Sequence, residues 1–214
     1  MLTRLLVAAH GTASPAGSAT TARLLDAIRA ARPSVPVELC FLDVASPALA
    51  SSLDERPTVV LPLLLSTGYH VQSDIPAAVA GHDGTVVARH LGPHPLLVDV
   101  LLDRLPAGSD PVVLVGAGSS RAEAVDELRA TGGMLAERVG SPVDVLTMGD
   151  DLHAAFEAAA PVRVATYLLA EGQFVDTLRA AADGLGEVAE PLGVHPALVA
   201  LAWLRYDEAR DRLR

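Results

Sequence analysis

Short landmarks in the first half of this 214-residue chain return in the same order in the second half. That internal duplication constrains the fold more than any other feature. Leu6-Val7-Ala8-Ala9-His10-Gly11-Thr12 matches Val113-Leu114-Val115-Gly116-Ala117-Gly118-Ser119. Leu64-Leu65-Ser66-Thr67-Gly68-Tyr69-His70-Val71 matches Leu168-Leu169-Ala170-Glu171-Gly172-Gln173-Phe174-Val175, and Leu91-Gly92-Pro93-His94-Pro95 matches Leu192-Gly193-Val194-His195-Pro196. Within each half, apolar runs of strand character alternate with Ala/Leu/Arg stretches of helical period, which is the signature of βαβ units and a parallel sheet.

Strands are expected at 2–9, 35–44, 58–65 and 85–88, with helices at 19–31, 47–53, 74–80 and 95–105. After the turn-rich 106–110 linker the pattern restarts, with strands at 111–115, 143–148, 162–169 and 187–189 and helices at 122–139, 151–159, 174–182 and 196–204. The expected fold is α/β: two similar flavodoxin-like parallel-sheet halves, 1–107 and 108–214, facing a cleft.

Aligning the halves sorts the histidines. His94 and His195 hold equivalent places, each before a proline that opens a helix, so a shared capping role is expected. His10 and His70 instead face Ala117 and Phe174, residues that neither ligate metal nor carry a proton. The second half keeps the frame without these imidazoles, so they are expected to form a site rather than to support folding.

In a sheet of strand order 2-1-3-4 the order reverses between strands one and three, and ligands bind beyond the carboxyl ends of the strands at such a point. His10 and His70 follow those two strands, and Asp43 ends strand two. Two neutral imidazoles and a carboxylate with open positions make a first shell suited to Fe²⁺, Co²⁺ or Zn²⁺. The alternative is that Asp43 caps its own turn and the histidines are ordinary loop residues.

Composition removes other mechanisms. All 16 basic residues are arginine, with no lysine and no asparagine, against 26 acidic residues and a net charge of -10. A P-loop or a lysine Schiff base is therefore excluded. An acidic chain with scattered arginines is not expected to bind nucleic acid. The lone Cys40 permits no internal disulfide or cysteine zinc cage. Arg4 and the apolar 5–9 run imitate a signal peptide but are too short, and no apolar run spans a membrane, so a cytoplasmic protein is expected.

Gly116-Ala117-Gly118 begins like a dinucleotide fingerprint but lacks its third glycine. Ala9-His10-Gly11 is similar to the Arg-His-Gly of histidine phosphatases without the phosphate-holding arginine, and no Gly-x-Ser-x-Gly nucleophile elbow occurs. His82, His90 and His153 are expected in solvated or capping roles, and Trp203 in the core.

Ala9-His10-Gly11-Thr12, Phe41-Leu42-Asp43, the run from Pro62 to His70 and Leu91-Gly92-Pro93-His94-Pro95, in this order, resemble the sirohydrochlorin chelatase family, the class II cobalt and iron chelatases. The second half looks like a duplicated copy of the same chelatase-like domain. The resemblance implies insertion of Fe²⁺ into sirohydrochlorin for sirohaem biosynthesis, or of Co²⁺ on the route to cobalamin. A non-catalytic carrier of metal or tetrapyrrole is the rival. The resemblance implies catalytic and metal-handling roles for His10 and His70, with Asp43 standing where the family has a Glu or other acid.

The divalent metal is then a substrate, with no tightly bound cofactor, and the other partner is a carboxylate-bearing tetrapyrrole. Local donors must offset the chain's negative charge, and the loops after strands, whose backbone N–H groups attract anions, are suited to it. Gly11, Thr12, Ser66, Thr67, Gln72, Ser119, Ser120 and Arg121 are assigned to carboxylate recognition on that basis. A monomer is expected, because the duplicated halves replace a dimer.

Overall fold

Strand β1 (Arg4–Ala9) is buried along its whole length, as a strand covered by helices on both faces must be. The computed structural model describes residues 3–213. The chain continues through α1 (Pro15–Ala31), β2 (Val37–Phe41), α2 (Leu49–Ser52), β3 (Thr58–Pro62), α3 (Ile75–Val79), β4 (Thr85–Val87) and α4 (Pro95–Arg104). The second series is β5 (Val112–Gly116), α5 (Ala122–Val139), β6 (Val143–Thr147), α6 (Leu152–Ala159), β7 (Val162–Tyr167), α7 (Gln173–Ala181), β8 (Gly186–Val188) and α8 (Pro196–Arg210). Both sheets are wholly parallel, in the orders β2-β1-β3-β4 and β6-β5-β7-β8. The expected order 2-1-3-4 is present in each. No helix among the described residues is long and apolar enough to cross a membrane.

The expected elements occur with shifted ends. Helix α1 begins at Pro15, four residues before the expected start at 19, because Ser14 caps it by accepting the Gly17 N–H at 3.2 Å. Leu2 of the expected first strand lies outside the described residues. The sequence repeat divides at 107/108, whereas the compact units are 1–91 with 194–214, and 92–193. The reason is an exchange of closing helices: α4 packs on α5 and β7, and α8 packs on α1 and β3.

In the first unit, Leu6, Ala8, Cys40, Leu49, Val60 and Ile75 form one core cluster. Burial pushes the Cys40 thiol up to about 12, so it stays protonated and packs as a small apolar group. Arg4 is buried with its donors satisfied by Thr58, Glu38, Asp54 and the Ser52 carbonyl, which makes its burial tolerable. In the second unit Val113, Val115, Phe156, Val162, Val164 and Leu178 pack together.

Trp203 is buried as expected, and its indole N–H donates to the Ile28 carbonyl at 3.1 Å. The Arg32 guanidinium lies 4.6 Å from the ring centroid and donates twice to Asp207, at 2.8 and 2.7 Å. These hydrogen bonds hold the Asp207 carboxyl below its ordinary range. The unfolded carboxyl therefore protonates first as pH falls. The pair stabilises the fold above the ordinary carboxylate range and loses that contribution as pH falls through the depressed value.

Lysine keeps the charge but loses both the planar fork and the stacking. With the pair partly exposed, Arg32→Lys is expected to cost about 1 kcal/mol, or roughly 2–4 °C in Tm, with the difference shrinking in strong acid. Thermal melts at neutral and acidic pH check this; equal melting temperatures at neutral pH would show that the fork contributes nothing.

Candidate metal centre

Strand β1 ends at Ala9, so His10 is the first residue beyond it. Next to it, β3 pairs in parallel with Ala8 opposite Pro62, and the Leu63 N–H donates to the Ala8 carbonyl at 2.8 Å. The chain after β3 then returns to present His70. The two rings stand 4.8 Å apart between centroids, nearly perpendicular at 84°. The histidines that the repeat singled out therefore meet, at the carboxyl edge where the strand order reverses.

Residues His70–Asp74 form a π-helical turn leading into α3, with the Ile75 N–H donating to the His70 carbonyl. Pro76 has no N–H to give back to the preceding turn, which favours this wider winding. The turn brings the Asp74 Oδ2 to 2.6 Å from the His70 Nδ1. A carboxylate only accepts, so Nδ1 carries the proton and the neutral ring keeps its lone pair on Nε2. The His10 Nδ1 faces the Gly11 carbonyl oxygen at 3.1 Å, and the same reasoning leaves its lone pair on Nε2.

His94 and His195 show the opposite arrangement. Each caps a helix, its Nδ1 accepting a backbone N–H at 3.1 Å from Leu96 and Ala197 respectively, which places the ring proton on Nε2. Their expected scaffold role is what the structure displays. His153 lies in α6 with its Nδ1 3.1 Å from the Ala181 carbonyl, and His90 is buried.

Asp43, the third residue expected at the site, lies beside His10. Its backbone N–H donates to the His10 carbonyl at 3.0 Å, but its Oδ1 accepts the Val44 N–H at 2.7 Å. Val44 is left-handed, with φ of 62°, so the carboxylate is engaged in holding its own strained turn. Among the described residues no group of three or more His, Cys, Asp or Glu is assembled to hold a metal ion. The structure thus joins His10 to His70 and leaves Asp43 outside a three-ligand cluster.

Of the residues assigned to carboxylate recognition, Gly11 sits where the His10 and Asp43 loops touch. The Thr12 Oγ1 accepts the Ser14 N–H at 3.0 Å, and the Gln72 Nε2 donates to the Thr67 Oγ1 at 3.2 Å beside half-buried Ser66. In the second unit the Ser119 Oγ accepts the Arg121 N–H at 3.2 Å, Arg121 being the N-cap residue of α5, and Ser120 is exposed. Thr12 and Ser119 therefore already hold local turns.

Sequence reasoning missed Asp74, Val44 and Tyr69. The i, i+4 spacing of His70 and Asp74 was the available signal for the first. Val44 and Tyr69 are 62% and 64% exposed, and the Tyr69 ring lies 6.3 Å from that of His70, so apolar surface flanks the pair. At the equivalent place in the second unit Phe174 is 50% exposed.

Comparison with known proteins agrees with this architecture. Residues 4–107 match the CbiX family model. SirB from Bacillus subtilis with Fe³⁺ superposes with a TM-score of 0.83 at 21% identity, covering 97% of this chain and 95% of that one. SirB from Bacillus subtilis subspecies spizizenii in complex with cobalt gives 0.82 at 20% identity, covering 99% and 97%. CbiX, the terminal enzyme of sirohaem biosynthesis in denitrifying bacteria, gives 0.74 at 23% identity, covering 96% and 99%. No curated protein sequence matches the chain. Residues 4–107 are thus similar to the CbiX family, and over nearly its whole length the chain has the fold of the solved sirohydrochlorin chelatases.

Proposed function

We propose that this chain is a sirohydrochlorin chelatase that inserts a divalent metal, Fe²⁺ in the first instance, into the tetrapyrrole. One observation carries the reading: in the part that matches CbiX, His10 and His70 meet at the sheet edge with their Nδ1 atoms held by oxygens, which leaves both Nε2 lone pairs for an ion. The relatives in complex with iron and with cobalt support an ion of this class.

The chemistry balances on those atoms. Insertion forms bonds from metal to pyrrole nitrogens and displaces two N–H protons from the ring. As the ion leaves an imidazole, that Nε2 regains a lone pair and takes a displaced proton, which it then passes to water. With the two imidazoles, and with Asp43 as a further ligand or orienting group, water fills the other positions, so the site is open enough for the ion to be handed on. Val44 and Tyr69 offer apolar surface to the macrocycle, and the backbone and hydroxyl donors of Gly11, Thr12, Ser66, Thr67, Gln72, Ser119, Ser120 and Arg121 are proposed for its carboxylates.

Anaerobic metallation of sirohydrochlorin, followed by absorbance with Fe²⁺ and with Co²⁺, tests this. The expected result is many turnovers per protein at a rate well above the protein-free reaction, with Fe²⁺ the faster ion. Tight binding of ion and tetrapyrrole without acceleration would make the chain a carrier, and faster turnover with Co²⁺ would assign it to cobalt.

A further inference from the structure

We propose that Asp74 is the positioning residue of the metal site, holding the His70 ring so that its Nε2 is presented to the ion in one orientation and one tautomer. The inference rests on the chelatase reading and adds to it a residue that does not touch the metal. Its basis is the 2.6 Å contact between the His70 Nδ1 and the Asp74 Oδ2, made across a single π-helical turn. The His70 side chain is 23% exposed and that of Asp74 38%, so the bond is sheltered from bulk solvent but not sealed in the core. A partner that accepts the outer ring proton orients a metal-binding imidazole and raises its strength as a donor.

Two comparisons within the molecule support a dedicated role. Among the described residues, the His10 Nδ1 is held by the carbonyl of the next residue, Gly11, at 3.1 Å, on an exposed loop. Among the described residues no carboxylate clamps His10, and the preorganisation of the pair falls on His70. In the second repeat the imidazole and the carboxylate are lost together. Phe174 stands in place of His70, Leu178 stands four residues later, and the segment runs as the regular α-helix α7 without a π turn. Had the acid and the winding served only to start this helix, the second repeat would need them as well.

The test combines Asp74→Ala, Asp74→Asn and Asp74→Glu with His70→Ala, reading calorimetric affinity for Co²⁺ alone and the steady-state constants for sirohydrochlorin metallation. Asp74→Ala is expected to weaken Co²⁺ binding and lower kcat by roughly 10–100-fold each, with KM for the tetrapyrrole unchanged. Asp74→Asn, whose side-chain carbonyl still accepts the ring N–H, should fall between parent and Asp74→Ala. Asp74→Glu, one methylene longer, should resemble Asp74→Ala.

In the His70→Ala background, Asp74→Ala should change Co²⁺ affinity no further, because the carboxylate then has no ring to hold. A Co²⁺ affinity for Asp74→Ala equal to that of the parent would overturn the proposal. So would an equal loss with and without His70, which would make Asp74 a ligand or a structural residue. If Asp74→Ala fails to fold, the Asp74→Asn and Asp74→Glu pair decides by the same readouts. If His70→Ala itself binds Co²⁺ and turns over like the parent, the chelatase reading fails rather than the positioning role.

Discussion

His10→Ala and His70→Ala are each expected to lower the metallation rate by roughly 10²–10⁴-fold, since on the proposed reading each removes both a ligand and a proton acceptor. Folding should survive, because His10 is exposed and the His70 side chain is only partly buried. The double variant should be little worse than either single one, as expected when two groups act as a unit. His94→Ala is the informative contrast. It removes the N-cap of α4 and should cost about 1 kcal/mol of stability with the rate per folded molecule unchanged. A parental rate in either site variant would remove the catalytic assignment.

The repeat made this site legible, because it supplied an internal control. Positions shared by both halves, His94 and His195, turned out to cap helices through Nδ1, whereas the unshared His10 and His70 stand ring against ring. Strand order was readable for a related reason: buried apolar runs separated by helical stretches leave few parallel arrangements, and both sheets adopt the expected one.

What the sequence concealed depends on local geometry. Asp43 has the right residue type at the right strand end. Whether a carboxylate faces an ion or its own turn depends on the left-handed conformation of Val44, and no pattern announces a β-branched residue there. Asp74 was hidden because the π-helical winding over His70–Asp74, ahead of Pro76, was not foreseen. The exchange of α4 and α8 between compact units was likewise invisible, since each helix has the same apolar face whichever sheet it covers.

Gly11 ties stability and catalysis to one backbone position, and Gly11→Ala is the substitution expected to damage both. Its φ is +94°, where a side chain is strained. A Cβ there would also stand 2.2 Å from the Asp43 carbonyl oxygen and 3.4 Å from the Ala45 Cβ. The clash is with backbone, so no rotamer relieves it, and the Asp43 loop must move away. That movement stretches the 3.0 Å bond from the Asp43 N–H to the His10 carbonyl and shifts the residue whose ring meets His70.

Backbone strain and the weakened hydrogen bond together should cost about 2–4 kcal/mol. At roughly 2–4 °C per kcal/mol, the expected fall in Tm is about 5–15 °C. Displacing His10 by about an ångström should lower kcat up to roughly 10²-fold, even at temperatures where the variant is fully folded. Gly68→Ala is the stability control, because a Cβ there meets nothing within 4 Å, and its Tm should match that of the parent. If Gly11→Ala melted with Gly68→Ala and turned over like the parent, the close approach of the two loops would not be what sets the position of His10.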